Sequence, residues 1–143
     1  MYYLKCYCEE ELKMSVTIFV HLNESENNNF DMRKFKKDIE IKYPGTNLEV
    51  SNSERSYDLC WENYSEQYQF ELRMDRKRCT FAIEYFNSNE RIYEYARFIL
   101  WLRTFFEREK DVILLDEIDC NQLALSCDKT TDDIVKWLQG IFK

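Results

Sequence analysis

The densest group of side chains that could do chemistry in this 143-residue sequence is acidic. Segment 111–133 holds seven carboxylates, Asp111, Asp116, Glu117, Asp119, Asp128, Asp132 and Asp133, against the single cation Lys129. Carboxylates at a strand end can hold Mg²⁺ or Ca²⁺, because hard cations take oxygen ligands. Asp116, Glu117 and Asp119 are therefore the metal candidates, and a small hydrolase or metal-assisted enzyme would draw on the same 116–133 acids. No EF-hand order is present, and the glycine that such a loop needs is missing. A strand-to-turn junction followed by a helix N-terminus favours the same acids, since that helix end is partially positive. The expectation adopted is no metal, no cofactor and no assigned catalytic residue.

Nucleophilic chemistry meets a bottleneck. His21 is the one imidazole in the chain, so any Cys-His or Ser-His pair must include it. Its thiol partners would be Cys60, Cys79 or Cys120, all in or beside apparent strands, and buried thiols beside a strand histidine are the simpler reading. The six cysteines contain no C-x-x-C pair, and Cys6-x-Cys8 is too tight for ordinary zinc spacing. The two glycines, Gly45 and Gly140, are too few for a phosphate-cradling loop, a Rossmann fingerprint or a G-x-S-x-G elbow.

The charge balance points to a different class of partner. The formal net charge is −7, which opposes nucleic acid, because phosphate binding needs a basic face. A basic cluster, Arg73, Arg76, Lys77 and Arg78, sits at a predicted hairpin tip among neighbouring acids and reads as a solvated turn. A basic protein remains as a partner, steered by the acidic surface. Aromatic residues make up 16% of the chain, more than one core of this size hides. Tyr57, Tyr64, Tyr93 and Trp137, with Glu117 and Asp119 as an acidic rim, are the candidate partner-binding residues, since Tyr and Trp dominate interface hot spots.

The elements that must position these residues follow from periodicity. Residues 15–22 alternate, with Val16, Ile18, Val20 and Leu22 on one face, and predict a strand. Residues 30–43 place Met32, Phe35, Ile39 and Tyr43 on one side of a helix that Pro44-Gly45 ends. A short strand is expected around Leu48 and Val50. Strands follow at 57–62, 67–74 and 79–86, the last with Cys79, Phe81, Ile83 and Tyr85 on one face, and their short polar connections predict an antiparallel meander. A long helix is expected over 88–107, capped by Asn87 with Glu90 completing a capping box. Its wide apolar face predicts contact with the sheet and a second layer, or a homodimer built on it. Residues 112–118 begin as an unbroken apolar run, expected to be a strand covered on both faces, and 121–126 read as its hairpin mate. Thr130 with Asp133 predicts a capping box for a last helix over 131–142.

The order β-α-β-β-β-β-α-β-β-α defines a single α+β domain over 1–143, an antiparallel sheet with helices mainly on one face. Residues 1–13 are expected to be a dispensable extension before an alternative start at Met14. The sequence shows no secretory-signal pattern and no apolar run of membrane-spanning length, so a cytoplasmic location with reduced thiols and no membrane partner is expected. The functional expectation is a non-enzymatic, acidic cytosolic interaction domain that masks a basic partner. In size and composition it is analogous to a bacterial immunity protein that inhibits a basic nuclease toxin, although no motif carries that analogy.

Overall fold

The structure, a computed structural model, describes residues 16–51 and 56–142. The expectation for residues 1–13 falls outside them. Among the described residues, seven strands and three helices follow the predicted order. They are β1 (Ile18–Leu22), α1 (Met32–Lys42), β2 (Asn47–Val50), β3 (Tyr57–Tyr64), β4 (Tyr68–Asp75), β5 (Thr80–Ser88), α2 (Arg91–Arg103), β6 (Val112–Asp116), β7 (Gln122–Ala124) and α3 (Thr131–Ile141). The strands form one sheet in the order β2-β3-β4-β5-β1-β6-β7, and all six pairings are antiparallel. The meander β2 to β5 is thus completed by β1, which slots between β5 and β6.

The helices cover one face, and the core lies between. Inward positions of the strands, among them Ile18, Val20, Trp61, Phe70, Leu72, Met74, Phe81, Ile83 and Leu114, are fully buried with Phe35, Ile39, Phe98, Ile99, Ile134 and Leu138 of the helices. Aromatic rings do much of the filling. Phe35 meets Trp61 at 4.9 Å, Phe81 at 5.1 Å and Phe105 at 4.8 Å between centroids, mostly edge-on or tilted. Such geometries are favoured because ring edges are positive and ring faces negative.

Local signals set several boundaries. Asp31 caps α1 by accepting from the Lys34 N–H at 3.0 Å. Gly45 at φ +94° makes the turn into β2, a conformation a side chain would strain. Thr130 and Asp133 form the capping box of α3. Buried Asn63 then ties that first turn to β3. Its Nδ2 donates to the carbonyls of Tyr43 and Pro44 at 3.2 and 3.1 Å and to Thr46 Oγ1 at 2.9 Å, and its Oδ1 accepts from the Ser65 N–H at 2.9 Å.

Four expectations are corrected. α2 is shorter than 88–107, and its N-cap is Glu90, which makes no side-chain cap bond. Asn87 and Ser88 stay in β5, paired with Gln69 and Tyr68, because the ladder to β4 satisfies their backbone and outcompetes a capping box. Glu84 is an extra residue in β5, so the register shifts and Phe86, rather than Tyr85, turns inward. β3 extends through Asn63 and Tyr64, two residues beyond the expected 57–62. β6 is buried on one face only, with Val112, Leu114 and Asp116 inward and Ile113 and Leu115 half-buried on the other.

The residue that sequence reasoning missed altogether is Arg103, the last residue of α2, which is 3% exposed. A guanidinium carries five N–H donors. Here Nε donates to the Leu125 carbonyl at 2.7 Å, Nη1 to those of Phe106 and Glu107 at 3.1 and 3.2 Å, and Nη2 to those of Arg108 and Lys110 at 3.2 and 3.1 Å. Every donor is matched, and the cation lies where a helix C-terminus is partially negative. Arg103→Met strands these carbonyls and is expected to cost about 3 kcal/mol or more, lowering Tm by about 10 °C. Arg103→Lys rescues little, since a point ammonium cannot span five acceptors. Urea and thermal unfolding of both variants check this; a wild-type midpoint for either would contradict it.

Candidate functional site

The three described helices take one face of the sheet, and the side chains of the other face form rows across the strands. Cross-strand register aligns one outward row across all seven strands: Glu49, Cys60, Arg73, Ala82, Phe19, Leu115 and Gln122. A second row sets Asn47, Glu62, Glu71 and Tyr85 side by side on β2 to β5. A third sets Thr80, His21, Ile113 and Ala124 on β5, β1, β6 and β7. The face is therefore divided, with a charged half on β2–β5 and a mainly apolar half on β1, β6 and β7.

In the charged half, four glutamates surround one arginine. Arg73 donates to Glu71 through Nε at 3.1 Å and Nη2 at 2.6 Å, and its Nε lies 3.5 Å from Glu84. Glu84 also accepts from Thr17 Oγ1 at 2.8 Å. Glu49 lies diagonally across from Glu62 of β3, and the hydrogen bond and repulsion between the two hold the Glu49 carboxyl above the usual range. Exposed Tyr64 donates to Glu62 at 2.9 Å. Hydrogen bonds to Tyr85 and Glu62 keep its hydroxyl protonated well above its ordinary value. Cys60 sits beneath this layer, where burial pushes its thiol up to about 12, so it is no nucleophile at neutral pH.

The apolar half is quieter chemically. His21 Nδ1 lies 2.8 Å from Thr80 Oγ1, and Phe19, Ile113 and Leu115 are half-buried around it. No thiol pairs with the imidazole in these contacts. Cys79 is buried, with its thiol pushed up to about 11, while Cys120 lies exposed in the turn after β6.

The sequence-predicted site residues do not converge. Asp116 is 1% exposed and caps the turn after β6. Its Oδ1 accepts from the N–H of Ile118 and Asp119 at 2.9 and 2.7 Å, and its Oδ2 from that of Asn121 at 3.0 Å. Glu117 accepts from the Thr17 N–H at 3.0 Å and ties β1 to the same turn, whereas Asp119 is exposed beyond it. Among the described residues no three His, Cys, Asp or Glu side chains are grouped to hold a metal ion. Tyr64 belongs to the outer face. Tyr57 is half-buried near its edge, with its hydroxyl raised first by that burial. Tyr93 and Trp137 lie on helices instead. Tyr93 is stacked under Arg97 at 4.8 Å, and Trp137 is half-buried against the core.

The predicted basic tip disperses in the same way. Arg78, at φ 61°, clamps Asp58 with two bonds of 2.6 and 3.0 Å, and Arg73 is held by glutamates. The guanidinium keeps the Asp58 carboxyl below its usual value. Of the missed residues of the outer face, Glu49, Glu62 and Phe19 had an outward position in a predicted strand as their one signal, whereas Leu115 was hidden in an apolar run and Glu84 lies at a bulge. What assembles them is strand order.

Fold and site together define an α+β domain with an acidic-aromatic sheet face. The chain matches no known family model, no curated protein and no solved structure.

The Glu49–Glu62 pair makes a sign-definite prediction. A carboxyl whose folded value is raised contributes stability that is fully present below its unfolded value and is lost as pH rises through the folded value. Glu62→Gln should lower the Glu49 titration toward the ordinary range and flatten that loss. Side-chain carboxyl NMR titration and urea midpoints from pH 4 to 7 check both; an unchanged Glu49 midpoint would refute the pairing.

Proposed function

We propose that this domain binds a basic protein through the outer face of its sheet, as a non-enzymatic masking or inhibitory partner acting in a reducing cell interior. The observation that supports this most is the one-sided layering: three helices cover one face, while the other carries Glu49, Glu62, Glu71 and Glu84 around Arg73, bordered by Tyr64 and Tyr85. A field of one sign speeds encounter with an oppositely charged partner. Tyrosines at its border offer large contact area at low conformational cost. The half-buried Phe19, Ile113 and Leu115 beside the acids supply the apolar surface that charge alone lacks.

In this reading the 116–133 acids serve the structure of the domain. Asp116 is spent on a turn, and Asp133 and Asp132 serve the start of α3.

The test is comparative capture from the source cells with the wild-type chain and with the double variant Glu49→Lys/Glu62→Lys, followed by kinetics on the stoichiometric partner. The variant is expected to slow association about tenfold at low salt while dissociation changes much less. The wild-type rate should fall steeply with added salt. A captured partner that is acidic, or whose association ignores both the variant and the salt, would overturn the proposal.

A further inference from the structure

The sheet ends at β2, whose far side meets no partner strand among the described residues. Its register shows which backbone groups lie on that side. The Ser51 N–H donates to the Asp58 carbonyl at 2.8 Å, so these two residues form a hydrogen-bonded pair. In an antiparallel ladder such pairs alternate with pairs that exchange no bond. Glu49 and Asn47 therefore turn their N–H and C=O groups toward Cys60 and Glu62 of β3, while Leu48 and Val50 turn theirs to the free edge. Two donors and two acceptors stand in line there. Such a row is a template for another strand, and proteins commonly blunt it with lysine, proline or a bulge. β2 carries none of these, since it reads Asn47-Leu48-Glu49-Val50 and pairs with β3 in unbroken register. Its one charge is an acid.

The side chains of β2 set what an added strand must carry. Glu49 is exposed on the outer face, at a recess of about 190 Å³ that Cys60, Glu62 and Arg73 also line. None of the described ion pairs includes Glu49 or Glu62, and Arg73 is taken by Glu71 and Glu84. Across the free edge, the residue opposite Glu49 falls in a pair that exchanges no hydrogen bond. That is the closer kind of pair, with Cα atoms about 4.5 Å apart. A lysine or arginine there reaches the carboxylate, and opposite charges directly across two strands attract. Leu48 and Val50 point to the other side of the sheet. Leu48 packs against the core and Val50 is 59% exposed, so apolar residues opposite them gain buried surface.

We propose that the basic partner adds an extended segment to the free edge of β2, bonded backbone to backbone with Leu48 and Val50, with a lysine or arginine opposite Glu49 and an apolar residue on each side of it. The inference rests on the outer-face reading for the charge of the partner. It adds a directional backbone contact that charge alone does not supply, and it gives the segment a period of two. A second copy of this chain is the wrong occupant, because two such edges bring like-charged glutamates together.

Titration of the full chain with the peptide acetyl-Lys-Val-Lys-Val-Lys-amide, followed by backbone amide NMR, tests it. The peptide is expected to shift the Leu48 and Val50 amides and slow their hydrogen exchange. The same peptide N-methylated at both valines keeps the charge but loses the two N–H groups aimed at β2, and should bind about tenfold more weakly. A peptide with glutamate for lysine keeps the backbone and should bind weaker still. Val50→Pro removes one edge donor and no β2–β3 bond, a change that edge strands tolerate, and should weaken the lysine peptide about fivefold. If that variant unfolds, the N-methyl comparison on wild type decides alone. Absence of shifts at Leu48 and Val50 up to about 5 mM peptide would overturn the proposal. Equal affinity for the N-methylated peptide would overturn it too, while leaving the outer-face reading standing, because charge alone would then bind. Equal affinity for the glutamate peptide would overturn the charge match on which both rest. Dimerisation of the chain alone that protects Leu48 and Val50 would give the edge to a second copy and likewise end the proposal.

Discussion

A buried cation matched donor for donor by carbonyl oxygens is the constraint on which the rest of this fold hangs. Arg103 stands at the end of α2, and its five bonds reach the next turns, 106 to 110, and Leu125 just past β7. It thereby fixes where α2 stops, how the chain turns into β6, and how the β6–β7 edge hairpin sits against the helix. Each of those backbone oxygens would otherwise need water in a place that has little, and a buried charge without partners would be costlier still. The geometry suits guanidinium alone, whose planar fork presents donors in fixed directions. Asn63 and Asp116 repeat the logic at two other joints, the entry to β2 and the turn after β6. The loops of this protein are held by three buried polar side chains that saturate backbone groups.

With its joints fixed from inside, the domain has its three described helices on one sheet face, and the other face concentrates charge. Acids that stand apart in sequence, at 49, 62, 71 and 84, become neighbours across β2–β5. Two of the bulged positions, Asp58 and Glu84, carry acids that hold Arg78 and Arg73 respectively. Neutralising those arginines locally leaves Glu49 and Glu62 crowded against each other, which is why the Glu49 carboxyl is raised rather than lowered. A surface held in that state gains from an incoming cation, because the cation relieves a repulsion already built into the fold. Among the described residues most aromatic rings pack inside, and exposed Tyr64 lies beside the acids while Tyr93 lies on α2 under Arg97.

Much of the architecture was legible residue by residue. Alternation in 67–74 reported both the strand and its inward face, and Tyr68, Phe70, Leu72 and Met74 do line that face. Spacing of Phe35 and Ile39 reported the buried side of α1, and Thr130 with Asp133 reported the start of α3. The misreadings have one cause. Asn87 carries the local chemistry of a cap, yet its backbone is claimed by β4. Glu84 sits in an unbroken alternation, yet a bulge shifts the register so that Phe86 takes the inward place. In each case a partner strand distant in sequence outbid a local preference.

Sequence by itself determined the element order, the α+β class and the acidic balance, because periodicity, turn residues and charge are properties of neighbours along the chain. Tertiary structure alone decided that β1 lies between β5 and β6, that Asp116 is spent on a turn, that Arg103 is buried, and that Glu49, Glu62, Glu71 and Glu84 share one face. Those outcomes depend on which strands exchange backbone hydrogen bonds and which side chains meet unsatisfied carbonyls. Both are long-range matches, selected by the joint burial of apolar faces and the saturation of polar backbone, and no local window of residues contains them.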